Sequence, residues 1–162
     1  MKAKLLKLHE DAATPNKAYP NDFCYDCVAI SEQEVAPNVW KYGLGIALQI
    51  ERDLEPVEFV EYGIREFNFS HCPINFSFDL RPRSSIWKTG MILSNGPGTV
   101  DENYTGEISA VFYHVMPSMP RYKVGDRIGQ IKLGMAFPLE FAEVQSLDST
   151  DRGAGGYGST GK

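Results

Sequence analysis

The chain has 162 residues, 43% of them hydrophobic, and a net charge of −5 from 16 basic and 21 acidic side chains. That size suits one domain with a sizeable core, and the acidic balance speaks against a nucleic-acid polymer or an anionic membrane as partner, since either needs a basic face. Three cysteines give no disulfide framework, no apolar run reaches the length of a membrane span, and Met1–Glu10 lacks the apolar run of a signal peptide, so a cytoplasmic location is expected.

Residues 3–9 read as a first strand, and the Pro-, Asn- and Ala-rich stretch 11–25 as a loop. Strand character returns at Tyr25-Asp26-Cys27-Val28-Ala29. Cys24 and Cys27 form one Cys-x-x-Cys, with His71-Cys72 further on. Adjacent residues rarely ligate one ion and no second spaced pair exists, so half-buried thiols are expected rather than zinc ligands. Leu44, Ile46, Leu48 and Ile50 alternate, which predicts a strand over 43–51 with one buried face. An acidic stretch follows, with Val57, Phe59, Phe67 and Phe69 spaced for a hairpin of its own. Ile74, Phe76, Phe78 and Leu80 alternate again.

In Arg81-Pro82-Arg83-Ser84-Ser85-Ile86-Trp87-Lys88-Thr89-Gly90, a serine cap and a stop glycine predict a short helix from Ser85. Its free amides and the fork of Arg83 suit phosphate. The stretch Gly98-Thr99-Val100-Asp101-Glu102-Asn103-Tyr104-Thr105-Gly106-Glu107-Ile108 reads as a β-hairpin, with Asn103 and Gly106 available for positive φ. Asp101 breaks the strand preference on its arm, as functional residues often do. Residues 107–115 and 127–133 read as strands, and 139–144 ends the regular structure. The remainder, 148–162, is rich in Gly, Ser and Thr and is expected to be mobile when empty. Gly156 and Gly161-Lys162 imitate a phosphate loop, but no strand precedes them and no helix follows. Short strands, many turns and almost no helical periodicity give an all-β sandwich or barrel.

Gly98-x-Val100-Asp101-x-x-Tyr104-x-Gly106 resembles the third motif of the trimeric dUTPases. Arg152-Gly153-Ala154-Gly155-Gly156-Tyr157-Gly158-Ser159-Thr160-Gly161 resembles their fifth, Tyr25-Asp26 part of their first, Arg83-Ser84-Ser85 their second, and Gly125-Asp126-Arg127-Ile128-Gly129-Gln130-Ile131 their fourth. The resemblance implies a distorted jelly roll forming a homotrimer with active sites between subunits. It divides the chain into a β domain, 1–147, with an insertion at 52–73, and a flexible lid, 148–162.

The implied reaction is hydrolysis of dUTP to dUMP and pyrophosphate with Mg2+. By resemblance, Asp101 activates the water that attacks the α-phosphorus and Gln130 helps place it. Asp26 acts on magnesium through its water shell. Arg83, Ser84, Ser85 and Arg152 hold phosphate, with Ser159 and Thr160 on the terminal phosphate and the Gly156 backbone wrapping it. The backbone of Gly98, Thr99 and Val100 reads uracil, Tyr104 lies against the deoxyribose and Tyr157 stacks on the base. One alternative is dCTP deaminase, which shares the Arg-Ser-Ser stretch; Val111 stands where that enzyme carries its general-base Glu. A non-catalytic regulatory binding protein of the same fold is another.

Overall fold

In a computed structural model, residues 2–52, 57–59, 64–67 and 74–156 are described. Within them the molecule is built from antiparallel strands, β1 Lys2–Lys7, β2 Tyr25–Val28, β3 Ser31–Ala36, β4 Val39–Gly43, β5 Ile46–Glu51, β6 Val57–Phe59, β7 Ile64–Phe67, β8 Asn75–Pro82, β9 Met91–Leu93, β10 Gly98–Asp101, β11 Ser109–His114 and β12 Arg127–Ala136. One four-stranded sheet has the order β10-β8-β12-β2 and another the order β3-β4-β11-β9, with β1-β5 and β6-β7 as two-stranded pairs. This is the all-β architecture that the alternation predicts.

The alternation also sets the faces. Phe76, Phe78 and Leu80 on β8 are buried, while Ser77, Asp79 and Arg81 between them point away. Ala110, Phe112 and His114 do the same on β11. The inward residues join Tyr42, Leu44, Ile46, Ile108, Ile128 and Ile131 in one core. Its aromatic centre is edge-to-face: Tyr42 and Phe112 centroids are 5.9 Å apart, and Phe112 and Tyr122 5.5 Å. Arg121 ties the loop before β12 to this centre. It forks onto Glu32 at 2.9 Å through both terminal nitrogens and stacks on Trp40 with its guanidinium carbon 3.5 Å from the ring centroid.

Several elements differ from expectation. The strand predicted over 43–51 breaks at Leu44-Gly45, where Gly45 has φ 63° and an added Cβ would run into Ile30. β4 and β5 therefore belong to different sheets, although Leu44, Ile46, Leu48 and Ile50 are all buried as predicted. The stretch 98–108 is no ladder hairpin. Its first arm pairs with β8, and the chain then crosses to β11, which pairs with β4 and β9. Neither Asn103 nor Gly106 has positive φ. Gly106 is needed for room instead, because a Cβ there would meet the Tyr104 hydroxyl at 2.6 Å. The helix is a 3-10 turn, Ser84–Thr89, capped by Arg83 without a side-chain bond and ended by Gly90 at φ 59°. β6 and β7 form the small hairpin expected within the insertion, while Phe69 lies outside the described residues. No strand is found in 137–147, where Phe137, Leu139, Phe141, Val144 and Leu147 are all exposed. No helix among the described residues is long and apolar enough to cross a membrane.

Candidate active site

Asp26 sits in the middle of β2, only 7% exposed, its backbone bridged to Asn16 by an N–H···O bond of 2.7 Å. β12 brings Gln130 directly opposite it, and β8 brings Arg81 opposite Gln130. The Gln130 amide donates to Asp26 Oδ1 at 3.1 Å and Arg127 Nη1 donates to Oδ2 at 3.1 Å. Arg83 Nε lies 3.2 Å from Oδ1. That approach is not aligned as a hydrogen bond, so the Nε–H is buried without an acceptor. Two guanidinium groups against one carboxylate leave an excess positive charge, and an orphaned buried donor asks for an acceptor. An anionic oxygen ligand meets both needs. The amides of Ser84 and Ser85 precede the first internal bond of the 3-10 turn, from Ile86 N to Arg83 O at 3.0 Å, and add donors beside Arg83.

Asp26, Arg83, Ser84, Ser85 and Gln130 are thus one constellation, and Arg127 completes it. Arg127 belongs to the Gly-Asp-Arg-Ile stretch, where its charge beside Gln130 is the signal in the sequence.

Asp101 belongs to a second constellation. It is exposed at the end of β10, opposite Ser77. The following turn closes with Tyr104 N donating to Asp101 O at 3.0 Å, and the Tyr104 hydroxyl donates to Glu107 O at 3.0 Å. That folds the ring over Gly106. β10 is an edge strand, so the backbone groups of Gly98, Thr99 and Val100 that face away from β8 are available to a ligand. A hollow of about 200 Å³ opens there, lined by Asn95, Gly98, Thr99, Val100, Asp101 and Tyr104 among others. Asn95 brings a side-chain amide to the hollow that no motif marks; its position just before Gly96-Pro97-Gly98 is the one signal in the sequence.

The two constellations lie at opposite edges of one sheet. Asp101 is level with Ser77, and Gln130 with Arg81, four residues along β8. With strands ~4.8 Å apart and a rise of ~3.3 Å per residue, Asp101 and Gln130 of one chain are separated by about 16 Å. One water cannot touch both. Farther on, Arg152 is exposed and its Nε donates to Gly155 O at 2.9 Å, and Gly156 is exposed. Tyr157, Ser159 and Thr160 lie outside the described residues.

The family model described as dUTPase matches residues 43–161. A deoxyuridine 5'-triphosphate nucleotidohydrolase of Wolinella succinogenes is 34% identical over all of this chain and 95% of its own length, and one of Helicobacter pylori is 31% identical over 99% and 97%. Among solved structures, the Staphylococcus bacteriophage 80alpha dUTPase with dUPNHPP superposes with a TM-score of 0.72, at 18% identity and 99% coverage of each chain. The dUTPase from phage phi11 of S. aureus, described with a structural Mg(II) ion, gives 0.62 at 15% identity, covering 92% of this chain and 100% of its own. The motifs, the fold and two full-length relatives converge: the chain belongs to the dUTPase family.

Proposed function

We propose that the chain hydrolyses dUTP to dUMP and pyrophosphate through a site shared between copies of the chain. The observation that carries this is the pair of complementary constellations: a cationic cluster around Asp26 with one unsatisfied donor, Arg83 Nε, and an edge strand bearing Asp101 beside a small hollow. The first suits a polyphosphate, the second a base and a water.

In this reading uracil pairs with the outer backbone edge of β10 at Gly98, Thr99 and Val100, as a strand would. Cytosine presents the wrong donor pattern there, and a site built on hydrogen bonds rejects mismatches strongly. Tyr104, held over Gly106, lies against the deoxyribose and crowds out a 2′-hydroxyl. Asp101 accepts a proton from water as the water oxygen bonds to the α-phosphorus. The bond from that phosphorus to the bridging oxygen breaks, and pyrophosphate leaves with the electron pair. Arg83, Ser84 and Ser85 hold phosphate oxygens against the developing charge. Gln130, anchored by its amide nitrogen on Asp26, offers its carbonyl oxygen toward the water or the α-phosphate.

Among the described residues no group of three His, Cys, Asp or Glu side chains forms a metal cage. Asp26, whose two oxygens already accept from Gln130 and Arg127, would meet Mg2+ carried by the triphosphate through water, since Mg2+ keeps several waters and few carboxylates. When bound, the ion supplies charge neutralisation on the phosphates.

Separation of Asp101 from Gln130 within one chain supports a homotrimer whose sites join different subunits. So do the apolar residues of 137–147, which stand exposed among the described residues. The tail from 148 closes over bound nucleotide, with Arg152 and Gly156 on phosphate, Tyr157 on uracil, and Ser159 and Thr160 on the terminal phosphate. A deaminase is disfavoured because Val111, opposite Lys41 on β4, has no proton to move.

Pyrophosphate release from a panel of nucleotides with magnesium tests the proposal. The expected result is dUTP turned over well above dTTP, dCTP and UTP. Equal rates on all four would overturn the specificity argument, and ammonia from dCTP would revive the deaminase.

A further inference from the structure

Glu102 follows Asp101 directly, and its side chain is gripped rather than solvated. Arg52, just past the end of β5, meets it as a fork: Nε to Oε1 and Nη2 to Oε2, each at 2.6 Å. Oε2 also accepts the backbone N–H of Phe76 at 3.1 Å, and Arg52 Nη2 donates to Ile74 O at 3.0 Å. The guanidinium carbon stands 5.2 Å from the centroid of the Phe76 ring. A bidentate pair whose partners are each bonded again, and stacked on an aromatic, has little freedom left. The hydrogen bonds from Arg52 hold the Glu102 carboxyl below its usual range. The pair borders an open polar hollow shared with Lys4, Gln49, Asn75 and Asp101.

Neither Arg52 nor Glu102 has a part in the chemistry above. Asp101 itself sits at the last residue of an edge strand, exposed, where the ladder to β8 stops. Its carboxylate must nevertheless meet one water in one direction, and a misplacement of ~1 Å costs about 10² in rate. The next residue is where the backbone direction can be fixed. We infer that Arg52 and Glu102 form a clamp that sets the orientation of Asp101, which makes both positioning residues for proton abstraction. The inference rests on the dUTP reading. The clamp also uses Arg52 and Ile74, which bracket residues 53–73. The roots of the insertion therefore serve the site even if its middle does not. Shortening the insertion while keeping Arg52 and Ile74 preserves turnover, whereas a cut that removes Arg52 lowers it.

The test compares wild type, Arg52→Ala, Glu102→Ala and the double variant for pyrophosphate release from dUTP with magnesium. Binding of a non-hydrolysable dUTP analogue and thermal melting are recorded alongside. Each single change is expected to lower kcat by about tenfold or more, with KM and analogue affinity nearly unchanged. The double variant should be no slower than the slower single one, because the two residues act as one unit. Arg52→Lys, which cannot fork, should recover only part of the rate. Full kcat in folded variants, losses that multiply, or a change confined to KM would each overturn the clamp. If the alanine variants do not fold, Glu102→Gln, which keeps the shape of the side chain, is read by the same criteria. Wild type that leaves dUTP intact would sink the dUTP reading itself; wild type and variants that cleave it equally would sink only the clamp.

Discussion

Asp101 concentrates the chemistry in one exposed carboxylate. Asp101→Asn keeps its size and removes the base, so turnover should fall by about 10² to 10⁴ while analogue binding persists. Steady-state rates beside a binding isotherm check this, and near-wild-type turnover would leave Asp101 structural. Single residues of this kind were legible from motif resemblance, which named Asp26, Arg83, Asp101 and Gln130 one by one. Their partnerships were not. Arg127 and Gln130 reach Asp26 from about a hundred positions away, at |i−j| of 101 and 104, and spacing along the chain carries no trace of that. The same holds for Glu102, an ordinary turn acid until Arg52 arrives from 50 positions away.

At the level of elements, alternation found the buried residues well because period two is set by the pleat. It could not say where a strand changes sheet. The break at Gly45 left the apolar spacing of Leu44 to Ile50 intact, so the sequence pattern ran through it. The expected hairpin failed for a related reason: β-branched residues flanking a polar turn suit a crossing between sheets as well as a ladder. The tail is the element whose role is most open to direct test. Truncation after Thr150 removes no core residue among those described, since β12 ends at Ala136. The shortened chain should fold and melt as before, with kcat down by at least about tenfold, because a lid that positions substrate supplies several kcal/mol. Undiminished turnover would remove the tail from the mechanism.

For the whole molecule, acid is the informative perturbation. The Arg121 hydrogen bonds hold Glu32 below the usual value of 4.5, and those of Arg52 do the same for Glu102. At Asp79 burial pushes the carboxyl up, but hydrogen bonds from Lys132 and Ser77 outweigh it, leaving the group below its usual 3.8. A carboxylate lowered on folding adds stability that is present above its unfolded value and lost as pH falls through its folded value. The melting temperature should therefore hold from neutrality down to the ordinary glutamate value of 4.5 and decline below it. Glu32→Gln with Glu102→Gln should flatten that decline. A melting temperature unchanged down to about pH 3 would contradict the assignment.

The placing of the two constellations at opposite edges of one sheet has a consequence in symmetry. A contact that joins the β10 edge of one copy to the β2 edge of the next is head-to-tail. Such contacts run on as a filament unless the rotation between copies brings the last back to the first. In an open row the terminal copies each carry half a site with nothing to complete it. In a closed ring every half is matched, the number of complete sites equals the number of chains, and no edge remains to recruit another copy. Closure then ends growth and completes catalysis in the same step.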